Sequence, residues 1–200
     1  MFILSAAAGR AELIDRVVAS VNNDVVTHSE LRQTIAFNAA LGGNKGNGKR
    51  VEAETLQGII NRRLLLQEAY RLKVAEVSDQ DVAAEVARLR QRLGTEAAFQ
   101  DLLVRTDMNE QQLARLLGER LLVERFVEKK IGLFARVSRD DAQSYYKEHA
   151  NEFKGRRFSE VQKQITEYLS AQKVSQQLDQ YIDELRGRAV IRTNELREEG

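Results

Sequence analysis

The sequence predicts a mainly α-helical protein with a small antiparallel sheet, and three observations carry that prediction. Proline is absent from all 200 residues, where about 5% is usual, and Leu, Ala, Glu, Gln and Arg, all strong helix formers, are abundant. Apolar residues recur at three- and four-residue spacing along most of the chain, the signature of helices that bury one face. Only two stretches, close to the two ends, are β-branched and alternating instead.

The first of these is Leu13 to Asn22 (LIDRVVASVN), followed by the turn-prone Asn22-Asn23-Asp24 and then Val25-Val26-Thr27. That pattern reads as a β-hairpin. Thr27, with Glu30 three positions on, forms the signature of a capping box and opens a helix to about Leu41. Residues 42–50 (GGNKGNGKR) hold four glycines and read as a flexible loop. A helix over 51–73 follows, with Leu56, Ile59, Ile60, Leu64, Leu65 and Leu72 on a broad apolar stripe. Ser78 with Asp81 starts the next, which Gly94 ends. Thr95 caps a short helix to about Arg105. Asn109 or Asp107 begins another, with Leu113, Leu117, Leu121 and Ile131 expected on one face. Ser138 with Asp141 caps a short helix through Tyr145 and Tyr146. Ser159 with Gln162 is expected to cap a last helix of nearly thirty residues, which Gly187 ends. Arg188 to Thr193 (RAVIRT) then alternates as a strand. A two-stranded hairpin alone is marginal in water, so this terminal strand is the expected partner of the hairpin. The ends of the chain then meet, and the long last helix lies back across the bundle. A helix so placed can dock on its own subunit or on a neighbour's, which makes a domain-swapped homodimer one expected arrangement.

Composition excludes several functions. Lys+Arg number 31 and Asp+Glu 30, a net charge of +1, and no basic excess exists for neutralising phosphates, so no nucleic-acid partner is expected. Cysteine is absent, which removes disulfides, thiol nucleophiles and cysteine-ligated metals. The two histidines, His28 and His149, have neither a second histidine nor a glutamate at metalloprotease spacing. A Ser–His–acid triad would need one of them. Gly43 to Lys49 formally fits G-x-x-x-x-G-K, but Arg50 stands where magnesium needs Ser or Thr, and a helix precedes it in place of a strand. No cofactor and no metal are expected, and no catalytic residue is assigned. Apart from the N-terminus, no segment approaches the roughly 18 to 20 apolar residues of a membrane span, so no stable membrane insertion is expected.

What remains is a surface. Phe134, Tyr145, Tyr146, Phe153 and Phe158 gather around short helices and a basic turn (Lys154, Arg156, Arg157). Large apolar groups bordered by charge mark binding surfaces, and these five are the expected client-contact residues. At the N-terminus, Met1 to Ala8 (MFILSAAA) is apolar and ends in small residues, with Ala6-x-Ala8 as a candidate cleavage site. It reads as the tail of a secretory signal or, alternatively, as a frayed start or cloning remnant.

Residues 12–34 (ELIDRVVASVNNDVVTHSELRQT) resemble the opening of mature SurA-type periplasmic chaperones, where "IDRVVAxVNxxVVTxSEL" follows the signal peptide. The resemblance continues through Gly58 to Ala69 (GIINRRLLLQEA), Val77 to Val82 (VSDQDV), Val137 to Asp141, Tyr145-Tyr146 and Glu152-Phe153. It closes with Phe158 to Val161 and Tyr181 to Arg186, so it spans essentially 12–194. In relatives with isomerase activity, a parvulin domain with paired active-site histidines sits between the segments matching Phe153 and Phe158. Here Lys154-Gly155-Arg156-Arg157 alone bridges them. The resemblance implies residues 1–11 as a signal-peptide remnant and 12–200 as one SurA-like chaperone domain, with a helical core over 28–153 and a closing helix and strand over 158–194. It implies a periplasmic location, no prolyl isomerase activity, and ATP-independent holding of unfolded or outer-membrane proteins in an apolar groove between the bundle and the last helix. The alternative is a dimeric structural or assembly module of the cell envelope with one dedicated partner.

Overall fold

The computed structural model describes residues 15–43, 48–132 and 136–194. The hairpin is β1 (Val17–Val21) and β2 (Asp24–Thr27), joined by a turn in which Asn22 takes a left-handed backbone, φ +56°, a conformation asparagine tolerates better than most residues. The third strand, β3 (Ile191–Thr193), pairs antiparallel with β1, giving the order β2-β1-β3 and the register Ala19 to Thr193 and Val21 to Ile191. The two ends of the described chain therefore meet in one sheet, as the sequence implies. The strand is shorter than expected because the last helix continues through Gly187 to Arg188. One backbone irregularity between Val17 and Ala19 lets both Val18 and Ala19 be buried, while Val25 on β2 stays exposed.

Seven α-helices follow among the described residues: α1 (His28–Ala40), α2 (Lys49–Leu72), α3 (Asp79–Leu93), α4 (Glu96–Thr106), α5 (Glu110–Lys130), α6 (Arg139–Glu148) and α7 (Phe158–Arg188). Most begin where capping chemistry places them. Ser78 with Asp81, Asn109 with Gln112 and Ser138 with Asp141 each form a full capping box, and Thr95 accepts from the Ala98 N–H. Two of the expected capping boxes differ. Thr27 accepts from the Glu30 N–H at 3.2 Å, but the Glu30 carboxylate turns instead to Arg63, 2.9 Å away. The last helix begins before Ser159, because Glu160 reaches back to accept the Arg157 N–H at 2.9 Å.

Three clusters of buried residues organise the chain. The first joins the sheet (Val18, Val21, Val26) to Ile59, Ile60 and Leu64 of α2, Leu122 and Phe126 of α5, and Ile182 and Leu185 of α7. The second joins Phe37 of α1, Leu89 of α3, Phe99 and Leu102 of α4 and Leu113 of α5. The third is small: Ala142 of α6, Phe153 of a 3-10 turn (Ala150–Phe153), and Val161 and Ile165 of α7. Helix α5 serves two clusters, so its buried positions are Leu113, Leu122 and Phe126, not a single face through Leu117 and Leu121. Helix α7 likewise serves two. At 1.5 Å per residue it is roughly 46 Å long, with its C-terminal half on α2 and its N-terminal half carrying α6.

Candidate functional site

Where α2 ends, the chain turns through Lys73, which holds a left-handed φ of +53°, and runs without regular structure to Ser78 before α3 begins. That turn sets α3 beside α5 and opens a groove of about 930 Å³ between α2, the connecting segment, α3 and α5. Its wall is apolar: Tyr70 and Ala69 from α2, Val77 from the connection, Val82 and Val86 from α3, and Leu122 from α5. Tyr70 is 62% exposed although it is a large aromatic residue. The rim carries both signs of charge, Lys73 and Arg115 against Glu76, Asp79 and Glu119. Helices α3 and α5 approach closely at Gly118, where a Cβ would lie 3.1 Å from Val82 Cγ2.

Charged groups outside the apolar wall fix this shape. Arg125 of α5 donates to the Glu76 carbonyl at 2.8 Å and, with both terminal nitrogens, to Asp81 at 2.6 and 2.9 Å. Asp81 also accepts the Ser78 N–H. The Arg125 hydrogen bonds, followed by those of Ser78, hold the Asp81 carboxyl well below the usual carboxylate range. On the other side of α2, buried Glu68 accepts from Arg71 through two bonds of 2.7 Å and from the Tyr181 hydroxyl at 2.8 Å. The Arg71 hydrogen bonds are the main cause that lowers Glu68 to about 2. Burial, and then the bond to Glu68, pushes Tyr181 up to about 12.

Of the five aromatic residues singled out from sequence, Phe134 lies outside the described residues. The other four come together. Tyr146 stacks on Phe153 with ring centroids 5.3 Å apart and lies 5.6 Å from Phe158, and Tyr145 meets Phe153 edge-on at 6.4 Å. Tyr145 also stacks on His149 at 4.0 Å and touches Tyr168 at 5.5 Å. Phe153 is buried, and Tyr145, Tyr146 and Phe158 are half-buried. These rings spend much of their surface on each other, tying α6 to α7. The Tyr146 hydroxyl donates to the Arg156 carbonyl at 2.8 Å, which fixes the four-residue turn between Phe153 and Phe158. Burial is the first cause that raises the Tyr145 hydroxyl above its ordinary value.

The apolar groove expected between the bundle and the last helix is displaced: the groove lies between α2, α3 and α5, and α7 contributes none of its lining. Its signal was present in Val77 and Val82, which flank the Ser78 cap at the spacing of a hydrophobic staple, and in Tyr70, a large aromatic beside the charged Arg71. Elsewhere, Lys49 of the G-x-x-x-x-G-K stretch lies in the first turn of α2 with Gly48 at its cap, and residues 44–47 are outside the described residues. His28 opens α1, and His149 ends α6 with Nδ1 3.0 Å from the Tyr145 carbonyl. Among the described residues no group of three or more His, Asp or Glu side chains is placed to hold a metal ion. No described helix is long and apolar enough to cross a membrane.

A hairpin closed by a third strand near the chain's other end, a helical bundle and a long returning helix define a class of mainly helical domain. Residues 2–127 match the model of the SurA-like N-terminal domain, and the chain belongs to that family. Among solved structures, it resembles a chain reported with the virulence factor PEB4 and the periplasmic protein Cj1289, two structurally related SurA-like chaperones of Campylobacter jejuni. That likeness has a TM-score of 0.58 at 13% identity and covers 89% of this chain and 98% of the other, so it is a likeness of fold. No curated protein matches the sequence.

Proposed function

We propose that the protein is an ATP-independent chaperone of the periplasm that holds unfolded polypeptides, outer-membrane proteins among them, without prolyl isomerase activity. The observation that carries this reading is the groove of about 930 Å³ with an apolar wall, an exposed Tyr70 and a rim of both charges. An apolar wall takes any large side chain at roughly 1.5 to 3 kcal/mol for full burial. Much of that is offset by ordering the client, so binding is weak per contact and tolerant of sequence. Mixed charge on the rim gives no preference for acidic or basic clients. Release then needs no nucleotide. The aromatic cluster of Tyr145, Tyr146, Phe153 and Phe158, with exposed Tyr168 beside it, is proposed as a second client contact, together with Phe134. The reading without isomerase activity rests on the bridge from Phe153 to Phe158, which is the turn Lys154 to Arg157 pinned by Tyr146.

The test is light scattering of a denatured outer-membrane barrel protein diluted into buffer with the protein and without ATP. Suppression at near-stoichiometric ratios, weakened by Tyr70→Asp, is the expected result. Unchanged aggregation overturns the reading and moves the weight to an assembly module with one dedicated partner.

A further inference from the structure

A second and smaller cavity, of about 360 Å³, lies on a different part of the bundle, between the end of α1, the start of α2 and the middle of α5. Ile35 of α1, Leu41 at its C-terminal cap and Val51 of α2 supply an apolar side, and Asn38, Thr55 and Arg120 bring polar groups to it. Gly43 closes one end with its N–H on the Asn38 carbonyl at 2.8 Å, and a Cβ there would lie 2.7 Å from that oxygen.

Arg120 is only partly satisfied by its surroundings. Its guanidinium lies over the Phe37 ring at 4.6 Å and donates one bond, to Asn38 Oδ1 at 2.9 Å. Its Nε is sealed from solvent with no acceptor. Among the described residues no carboxylate pairs with it. Glu54, which also lines the cavity, is turned to Arg50 at 3.4 Å and is largely exposed. Glu30, on the neighbouring turn of α1, is taken by Arg63. Arg62 adds a second positive charge close to Arg120. A half-buried cation beside another cation, facing a cavity of mixed apolar and polar lining and with no carboxylate of its own, is a costly arrangement unless an anion completes it.

We infer that this cavity is a binding site for a carboxylate carrying a short apolar tail, with Arg120 holding the carboxylate and Ile35, Leu41 and Val51 receiving the tail. Two sources present that chemistry: a free short-chain acid, and the C-terminus of a polypeptide ending in an aliphatic residue. The site is separate from the groove beside Tyr70 and stands whether or not that groove holds clients.

The test is NMR of the full chain, following the Ile35 and Val51 methyl groups and the Arg120 Nε–H, during titration with isovalerate and with a short peptide ending in valine. The same peptide with an amidated C-terminus is the control. Saturable shifts with isovalerate, with the free-carboxylate peptide or with both support the site and show which source it admits. The amidated peptide is expected to leave the signals unmoved. Arg120→Met replaces the cation by an apolar chain of similar length, an exchange that buried ion sites often tolerate. It should weaken binding tenfold or more, with Arg120→Lys in between. No saturable shift with either carboxylate overturns the inference, as does equal binding to Arg120→Met or to the amidated peptide.

Discussion

The Tyr181 hydroxyl of α7 donates to Glu68 Oε1 of α2 at 2.8 Å, across 113 positions of sequence. Tyr181 also packs its ring near Phe126, with centroids 6.2 Å apart, and under the Lys130 ammonium at 5.7 Å. The bond fastens the long last helix to the helix that walls the groove, and it remains intact across ordinary pH. Glu68 is lowered from 4.5 to about 2 and Tyr181 raised from 10.0 to about 12. A lowered carboxyl contributes stability above its unfolded value and loses it as pH falls through the folded one. The raised phenol contributes below 10 and loses it as pH climbs toward 12. The stability difference between the protein and Glu68→Gln should therefore be constant from about pH 5 to 9 and shrink between about pH 4.5 and 2. Urea unfolding of both proteins across that range checks it. A constant difference down to pH 2 counts against the latch.

The hairpin turn adds to the β1–β3 pairing that joins the two ends of the described chain. Asn22 donates its N–H to the Val190 carbonyl at 2.8 Å, and its Oδ1 accepts the Val190 N–H at 2.9 Å. Its Nδ2 donates to Gln67 at 2.7 Å. Asn22→Ala loses these side-chain bonds and places alanine at φ +56°, for a loss of about 2 kcal/mol. Asn22→Gly keeps the left-handed turn and should lose less. Hydrogen exchange of β3 amides should accelerate in both, more in the alanine variant.

Gly118 sets how closely α3 approaches α5. Gly118→Val pushes against Val82 and should cost about 1 to 3 kcal/mol, spreading the groove and weakening its hold on clients. Adding Val82→Ala to Gly118→Val should restore part of the stability. Urea midpoints of the single and double variants test this, and strictly additive losses would show that the two sites do not press on each other.

The α6 cluster should open independently of the rest. Phe153 is buried among Ala142, Val161 and Ile165, so Phe153→Ala should cost about 3 to 5 kcal/mol of local stability. Amides of α6 and of the N-terminal half of α7 should then exchange quickly, while those of β1 and α2 keep their protection. Simultaneous loss of protection in β1 would show one cooperative unit.

The parts of the fold that local chemistry decides were legible in the sequence. Ser78, Thr95 and Ser138 cap the helices they were expected to cap, and of the two candidates Asn109 and Asp107 it is Asn109 that caps α5, because a short polar side chain needs only its own next turn. Glu30 departed because Arg63, distant in sequence, offered a stronger partner. The helix running past Gly187 has a similar cause: Arg186 donates to Asn61 at 2.9 and 2.7 Å and to Gln57 at 2.7 Å, which holds the last turn on α2. Family membership was legible because short segments kept their order and spacing. The aromatic cluster was legible as a grouping, but not the extent to which its rings pack on one another. The groove beside Tyr70 was not legible, since its wall comes from three helices whose proximity depends on Gly118 and Arg125.

The central claim, that this groove holds unfolded chains, is tested most directly by photo-crosslinking. Benzoylphenylalanine is placed at Tyr70 in one variant and, as an exposed control on α4, at Val104 in another. Each is mixed with a denatured barrel protein without ATP. Strong crosslinks from position 70, weak ones from 104, and none at 70 with a folded client are the predicted result. Equal crosslinking at both positions, or none at 70, would contradict the claim.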